Sequence, residues 1–99
     1  MTSPSTALIQ SLAHQGVKVI FSLSGNQIMP IYDACIDANI RIIHTRHEGA
    51  AVYMAEAYAQ MTGKIGVALV TAGPGVLNAV SALYSAARSE TPVMLISGD

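Results

Sequence analysis

Ninety-nine residues make one domain at most, and a formal net charge of −1 with five scattered basic residues excludes a basic nucleic-acid-binding stripe. Apolar residues reach 52% and charged residues only 11%, so the surface reads as one meant to be covered by more chain or by a partner. No apolar run approaches the ~18 residues of a membrane span, the start lacks a signal-peptide pattern, and the single Cys35 excludes a disulfide framework; the expected compartment is the cytoplasm.

Helix and strand signals then alternate along the chain. A first helix is expected from about Ser5 to Gln15, with Leu8, Ile9 and Leu12 on one face and Gly16 as its left-handed stop. Residues Val17 to Leu23 are β-branched and apolar, the pattern of a buried strand. Ser24-Gly25-Asn26-Gln27 turns the chain, and Pro30 suits the first turn of a second helix that Asn39 ends. Cys35 on that helix reads as a small buried filler. Ile40 to His44 form a second strand, and Glu48 opens a long helix that stops at Gly63. A third strand, Ile65 to Val70, leads through Gly73-Pro74-Gly75 into a helix from about Val76 to Arg88. Pro92 precedes a fourth strand that reaches Gly98.

Strand, helix and strand joined this tightly predict an α/β fold: a three-layer parallel sheet with helices on both faces. Four strands are present, of a larger sheet. The chain stops at Asp99 directly after the last strand, so residues 1–99 are read as an amino-terminal domain that is carboxy-terminally incomplete. In a parallel sheet every strand points its carboxyl end to one edge, the edge where open α/β folds bind ligands. That edge would carry Ser24-Gly25-Asn26, His44 through Glu48, Thr71 through Gly75, and Ser97-Gly98-Asp99, all small or polar.

Glu48 is the most informative residue on it. As a local pattern, Thr45-x-x-Glu48 is a capping box, in which Thr45 covers one orphan N–H and Glu48 reaches back to another. As a site residue, the same carboxylate stands at the ligand-binding edge. Gly73-Pro74-Gly75 offers helix N–H groups to a phosphate, but it matches neither a dinucleotide fingerprint nor a Walker loop and reads first as a turn. Asn78 lies one turn further on. His44 and His47 lack the spacing and the cysteine company of a metal site, so no metal ligand is assigned. Asp33, Asp37 and Glu56 read as solvated helix positions, and Met54 with Met61 as a core stripe.

Arg46-His47-Glu48-Gly49-Ala50-Ala51, then Ala55-Glu56-Ala57-Tyr58-Ala59 and Thr71-Ala72-Gly73-Pro74-Gly75-Val76-Leu77-Asn78, resemble the thiamine diphosphate enzymes of the acetolactate synthase and pyruvate decarboxylase superfamily. The similarity covers nearly the whole chain and matches their amino-terminal pyrimidine-binding domain. Phe21 to Asn26 resembles the family's loop after the first strand, with Ser22 and Ser24 in place of its first Gly and its Pro.

The resemblance implies that Glu48 is the catalytic glutamate, hydrogen-bonded to N1′ of the cofactor's aminopyrimidine and so activating it. It implies that Gly73, Pro74, Gly75 and Asn78 bind the cofactor, and that Gly25 and Asn26 face the substrate. The implied enzyme is a 2-keto acid carboligase or decarboxylase, nearest the acetolactate synthase type, with thiamine diphosphate as cofactor. Its Mg²⁺ would be bound by a domain absent here, FAD is a further candidate cofactor, and the full-length protein would be a homodimer or homotetramer. The rival reading is a non-catalytic, flavodoxin-like nucleotide-binding or regulatory module in which Glu48 is only a cap.

Overall fold

The computed structural model describes residues 4–23, 29–71 and 74–98, with side chains at 71–78, 81, 85 and 98 outside that description. Its elements follow the expected alternation: α1 (Pro4–His14), β1 (Val19–Ser22), α2 (Met29–Asp37), β2 (Arg41–His44), α3 (Glu48–Thr62), β3 (Gly66–Thr71), α4 (Pro74–Arg88) and β4 (Val93–Gly98). The four strands form one parallel sheet in the order β2-β1-β3-β4. Val19 to Ser22 pair with Arg41 to His44, Phe21 and Ser22 with Ala68 and Leu69, and Gly66 to Thr71 with Val93 to Gly98. Ser22, His44, Thr71 and Gly98 therefore end their strands on one edge, as the sequence predicts. The order reverses between β1 and β3, which places the crevice of an open α/β sheet there.

Period-two alternation along the strands divides the core into two layers. Ile20, Val67 and Leu69 face α1 and α2, where Ile9, Leu12, Ile31, Tyr32, Ala34 and Cys35 close over them. Phe21, Ala68 and Val70 face the other way, toward Ala51, Val52 and Ala55 of α3 and Ala79 and Ala82 of α4. Alanines dominate this second layer, so its helices lie close to the sheet. The approach is tightest at Gly66, where any Cβ would collide with the Ala55 carbonyl of α3. Only glycine fits that crossing.

Local stops set the helix ends. Gly63 caps α3 in the left-handed region (φ 72°), and its N–H donates to the Ala59 carbonyl at 2.9 Å. Asn39 takes the same region (φ 61°) between α2 and β2.

Three expectations are corrected. Met54 and Met61 are not core: Met61 is 87% exposed and Met54 also faces outward. The buried stripe of α3 is Ala51, Val52, Ala55, Glu56 and Ala59, and at about 100° per residue both methionines fall roughly 100–120° off Ala55. Leu8 is exposed where Ile9 and Leu12 are buried. Glu56 is not solvated but buried, and Ser89 Oγ donates to its Oε2 at 2.9 Å. Gln60 Nε2 lies 3.4 Å from the same oxygen and donates to Thr91 Oγ1 at 3.1 Å. Asp33 and Asp37 are exposed as expected.

Candidate functional site

Glu48 is the first residue of α3, directly beyond the carboxyl end of β2. A carboxylate in a first turn is favoured by the helix dipole, so its place needs no partner to be stable. It is half-buried, and among the described residues no hydrogen bond or ion pair engages its carboxylate. The capping box does not form. That motif needs Thr at the cap and Glu three residues into the helix. Here His47 is the cap residue (φ −140°, ψ 146°) without a side-chain capping bond, and Glu48 is only the first helical residue. Glu48 thus stands at the ligand edge of the sheet with its carboxylate outside any capping motif.

Thr45 is repurposed by the same shift. Its N–H donates to the Ser22 carbonyl at 2.8 Å, which extends the β1–β2 ladder one step past His44. Its hydroxyl donates to the His47 carbonyl at 3.0 Å; a second acceptor, the Ser22 carbonyl, is 3.5 Å away. Ser22 is fully buried, with its hydroxyl 2.7 Å from that of Tyr32 on α2. The Tyr32 ring in turn stands edge-on to the His44 ring, centroids 5.7 Å apart. Residues from β1, α2, β2 and the joint between β2 and α3 thus meet in one polar seam at the mouth of the sheet.

Sequence reasoning missed Tyr32 and the hydroxyls of Ser22 and Thr45 as parts of this seam. The signal was present in one place: a serine within an otherwise apolar strand must find a partner when buried.

Pro74 occupies the first position of α4, where its missing N–H costs little; the Gly75 and Asn78 backbone lies within the same helix. Their side chains are not among those described, and Gly25, Asn26 and Gly73 lie outside the described residues. Among the described residues, no group of three His, Cys, Asp or Glu side chains could hold a metal ion. Cys35 is fully buried, and burial pushes its thiol up to about 11.

The half-buried Glu48 carboxylate, at the carboxyl edge of a parallel sheet, makes no hydrogen bond or ion pair among the described residues. A model of the thiamine pyrophosphate enzyme N-terminal TPP-binding domain matches residues 3–99. The chain belongs to this family. Within it, the chain is 47% identical over 92 residues to 2-hydroxyacyl-CoA lyase 2 of Danio rerio, covering 93% of this chain and 15% of that protein. The human 2-hydroxyacyl-CoA lyase 2 is 45% identical over 87 residues, 88% of this chain and 14% of its own length. The acetolactate synthase large subunit of Haemophilus influenzae is 42% identical over 97 residues, 97% of this chain and 17% of that protein. The chain therefore spans only 14–17% of the length of these curated relatives. No helix among its described residues is long and apolar enough to cross a membrane.

Proposed function

We propose that this domain is the pyrimidine half-site of a thiamine diphosphate-dependent enzyme that makes or breaks the carbon–carbon bond beside a 2-keto acid carbonyl, with Glu48 as its catalytic acid. The observation that carries the reading is the Glu48 carboxylate, half-buried at the ligand edge and without a bond among the described residues. Thiamine diphosphate supplies, when bound, an acidic carbon and an electron sink. The domain's part is to hold and share a proton at N1′ of the aminopyrimidine through Glu48. Gly73, Pro74 and Gly75 line the pyrimidine at the start of α4, with Asn78 one turn along. Gly25 and Asn26 follow β1 and face the substrate. The same proposal assigns the diphosphate and Mg²⁺ to a separate domain, completes the site across a homodimer or homotetramer, and keeps FAD as a candidate second cofactor. A lone, buried thiol suits the reducing cytoplasm.

A second substrate class has its own support. Relatives bearing the name 2-hydroxyacyl-CoA lyase are 45–47% identical, against 42% for an acetolactate synthase. Cleavage of a 2-hydroxyacyl-CoA between its first two carbons would release C2 and its chain as an aldehyde and C1, with a proton returned to it, as formyl-CoA. Full-length enzyme offered pyruvate and, separately, a 2-hydroxyacyl-CoA separates the two by whether keto acid is consumed or aldehyde appears.

Glu48→Gln tests the shared core of both readings. The variant keeps the shape and loses the shareable proton, so hydrogen–deuterium exchange at the cofactor C2 should slow beyond the 10²–10⁴-fold usual for one acid–base group. The midpoint of urea unfolding should move by less than ~1 kcal/mol equivalent, since no capping bond is lost. Exchange at the wild-type rate in the variant would reduce Glu48 to a helix-start residue and end the proposal.

A further inference from the structure

The joint between β2 and α3 is fixed by one side chain that no step of the chemistry uses. Thr45 is half-buried and bonded at both ends: its N–H to the Ser22 carbonyl at 2.8 Å, its hydroxyl to the His47 carbonyl at 3.0 Å. The His47 carbonyl also accepts the first helical N–H, from Ala51, at 3.2 Å. Two donors on one carbonyl oxygen hold the rotation of its peptide plane. That plane is the His47–Glu48 peptide, and it contains the Glu48 Cα. With the plane held and the Glu48 backbone in its helical conformation, the direction in which the Glu48 side chain leaves the backbone is held as well. The His47 side chain contributes no capping bond that could do this in its place.

Resting on the catalytic reading of Glu48, we propose that Thr45 is a positioning residue: its hydroxyl, anchored through its own backbone to the end of β1, orients the His47–Glu48 peptide and so aims the Glu48 carboxylate. Thr45 touches neither cofactor nor substrate. Its effect passes entirely through the peptide that begins α3. The Ser22 anchor is itself buried and bonded to Tyr32, so the aim of Glu48 is referred to the rigid end of the sheet and not to the helix alone.

The test uses the full-length enzyme with thiamine diphosphate bound and reads hydrogen–deuterium exchange at the cofactor C2. Thr45→Val removes the hydroxyl, keeps the β-branched shape and leaves the backbone bond to Ser22 intact. Misalignment of an acid–base group without its loss should slow exchange about tenfold. Thr45→Ser restores the hydroxyl and should bring exchange back to within about twofold of wild type. Thiamine diphosphate affinity should stay unchanged across the series. If Thr45→Val yields no folded enzyme, Thr45→Ala carries the same expectation. Wild-type exchange in Thr45→Val, or exchange in Thr45→Ser as slow as in Thr45→Val, overturns the proposal, the latter because the hydroxyl would then not be the cause. Glu48→Gln in parallel separates the two ideas. Slow exchange in Glu48→Gln with normal exchange in Thr45→Val defeats only the positioning role, whereas normal exchange in Glu48→Gln defeats the catalytic reading and this inference with it.

Discussion

The hydroxyls of Ser22 and Tyr32 lie 2.7 Å apart in the protein interior, tying the last residue of β1 to the first turn of α2. The bond bridges the two described ends of the segment that carries Gly25 and Asn26. Removing either hydroxyl leaves the other with little: the next acceptor for Ser22 Oγ is the Leu23 carbonyl at 3.4 Å. Ser22→Ala and Tyr32→Phe should each cost about 1 kcal/mol in urea unfolding. The double variant should cost less than the sum, with a coupling of about 0.5–1 kcal/mol. Strict additivity would show that the two hydroxyls do not depend on one another.

Cys35 sets a pH dependence. Burial holds its thiol pKa at about 11 against an ordinary 9.0, so the folded state keeps the proton that the unfolded state gives up. Stability from this group is complete below the unfolded thiol pKa and is lost as pH rises through about 9 toward about 11. The urea midpoint should fall over that window, and Cys35→Ala should remove that part of the fall. At pH 8, alkylation by iodoacetamide should run on the order of 10²-fold slower than in urea-unfolded chain, from thiolate fraction alone. Equal rates would mean that the thiol is open to solvent.

Glu56 and Ser89 should show the asymmetry of a buried charge. Ser89→Ala takes a donor from a carboxylate that has left water, at a cost of about 1–2 kcal/mol. Glu56→Met with Ser89→Ala removes the charge along with its need for donors and should cost less than Ser89→Ala alone. Thermal melts of the two variants decide it; a double variant less stable than the single one contradicts the argument.

Among the described residues, α3 and α4 each expose large apolar side chains. Tyr53, Met54 and Met61 on α3 are exposed, as are Val80 and Tyr84 on α4, with the Arg88 guanidinium 5.9 Å from the Tyr84 ring centre. Leu8, Met29 and Ile36 are exposed on the other side of the sheet. The 99-residue chain by itself should self-associate at micromolar concentration, and Met61→Lys with Tyr84→Lys should weaken that association. A compact monomer of the unsubstituted chain in sedimentation velocity would show that these faces tolerate water.

What the sequence made legible is what short-range chemistry decides. Gly16, Asn39 and Gly63 announce helix ends because a left-handed residue is a local event. Alternating elements with short joints announce a parallel sheet, and hence the shared edge that singles out Glu48. Its strand order is shared by flavodoxin-like sheets, so topology alone does not separate a catalytic half-site from a regulatory module; the family match adds membership of the thiamine pyrophosphate enzyme N-terminal domains. What stayed hidden depends on distant partners or on one residue of register. Glu56 looks solvated until Ser89, far along the chain, folds against it. Thr45 looks like a cap until the helix starts at Glu48, two residues too late for the motif.

Gly66 carries no chemistry, yet it acts as a fulcrum for the site. Helix α3 rests on the sheet where Ala55 crosses Gly66, about two turns and roughly 10 Å along the helix from Glu48. A side chain wedged under that crossing would act on a lever. A tilt of about 10° there would sweep Glu48 by roughly 2 Å, which under the catalytic role proposed for Glu48 exceeds the 1 Å or so that spoils an alignment. The reach of the carboxylate at the ligand edge is thus calibrated by a missing methyl group near the opposite end of the sheet.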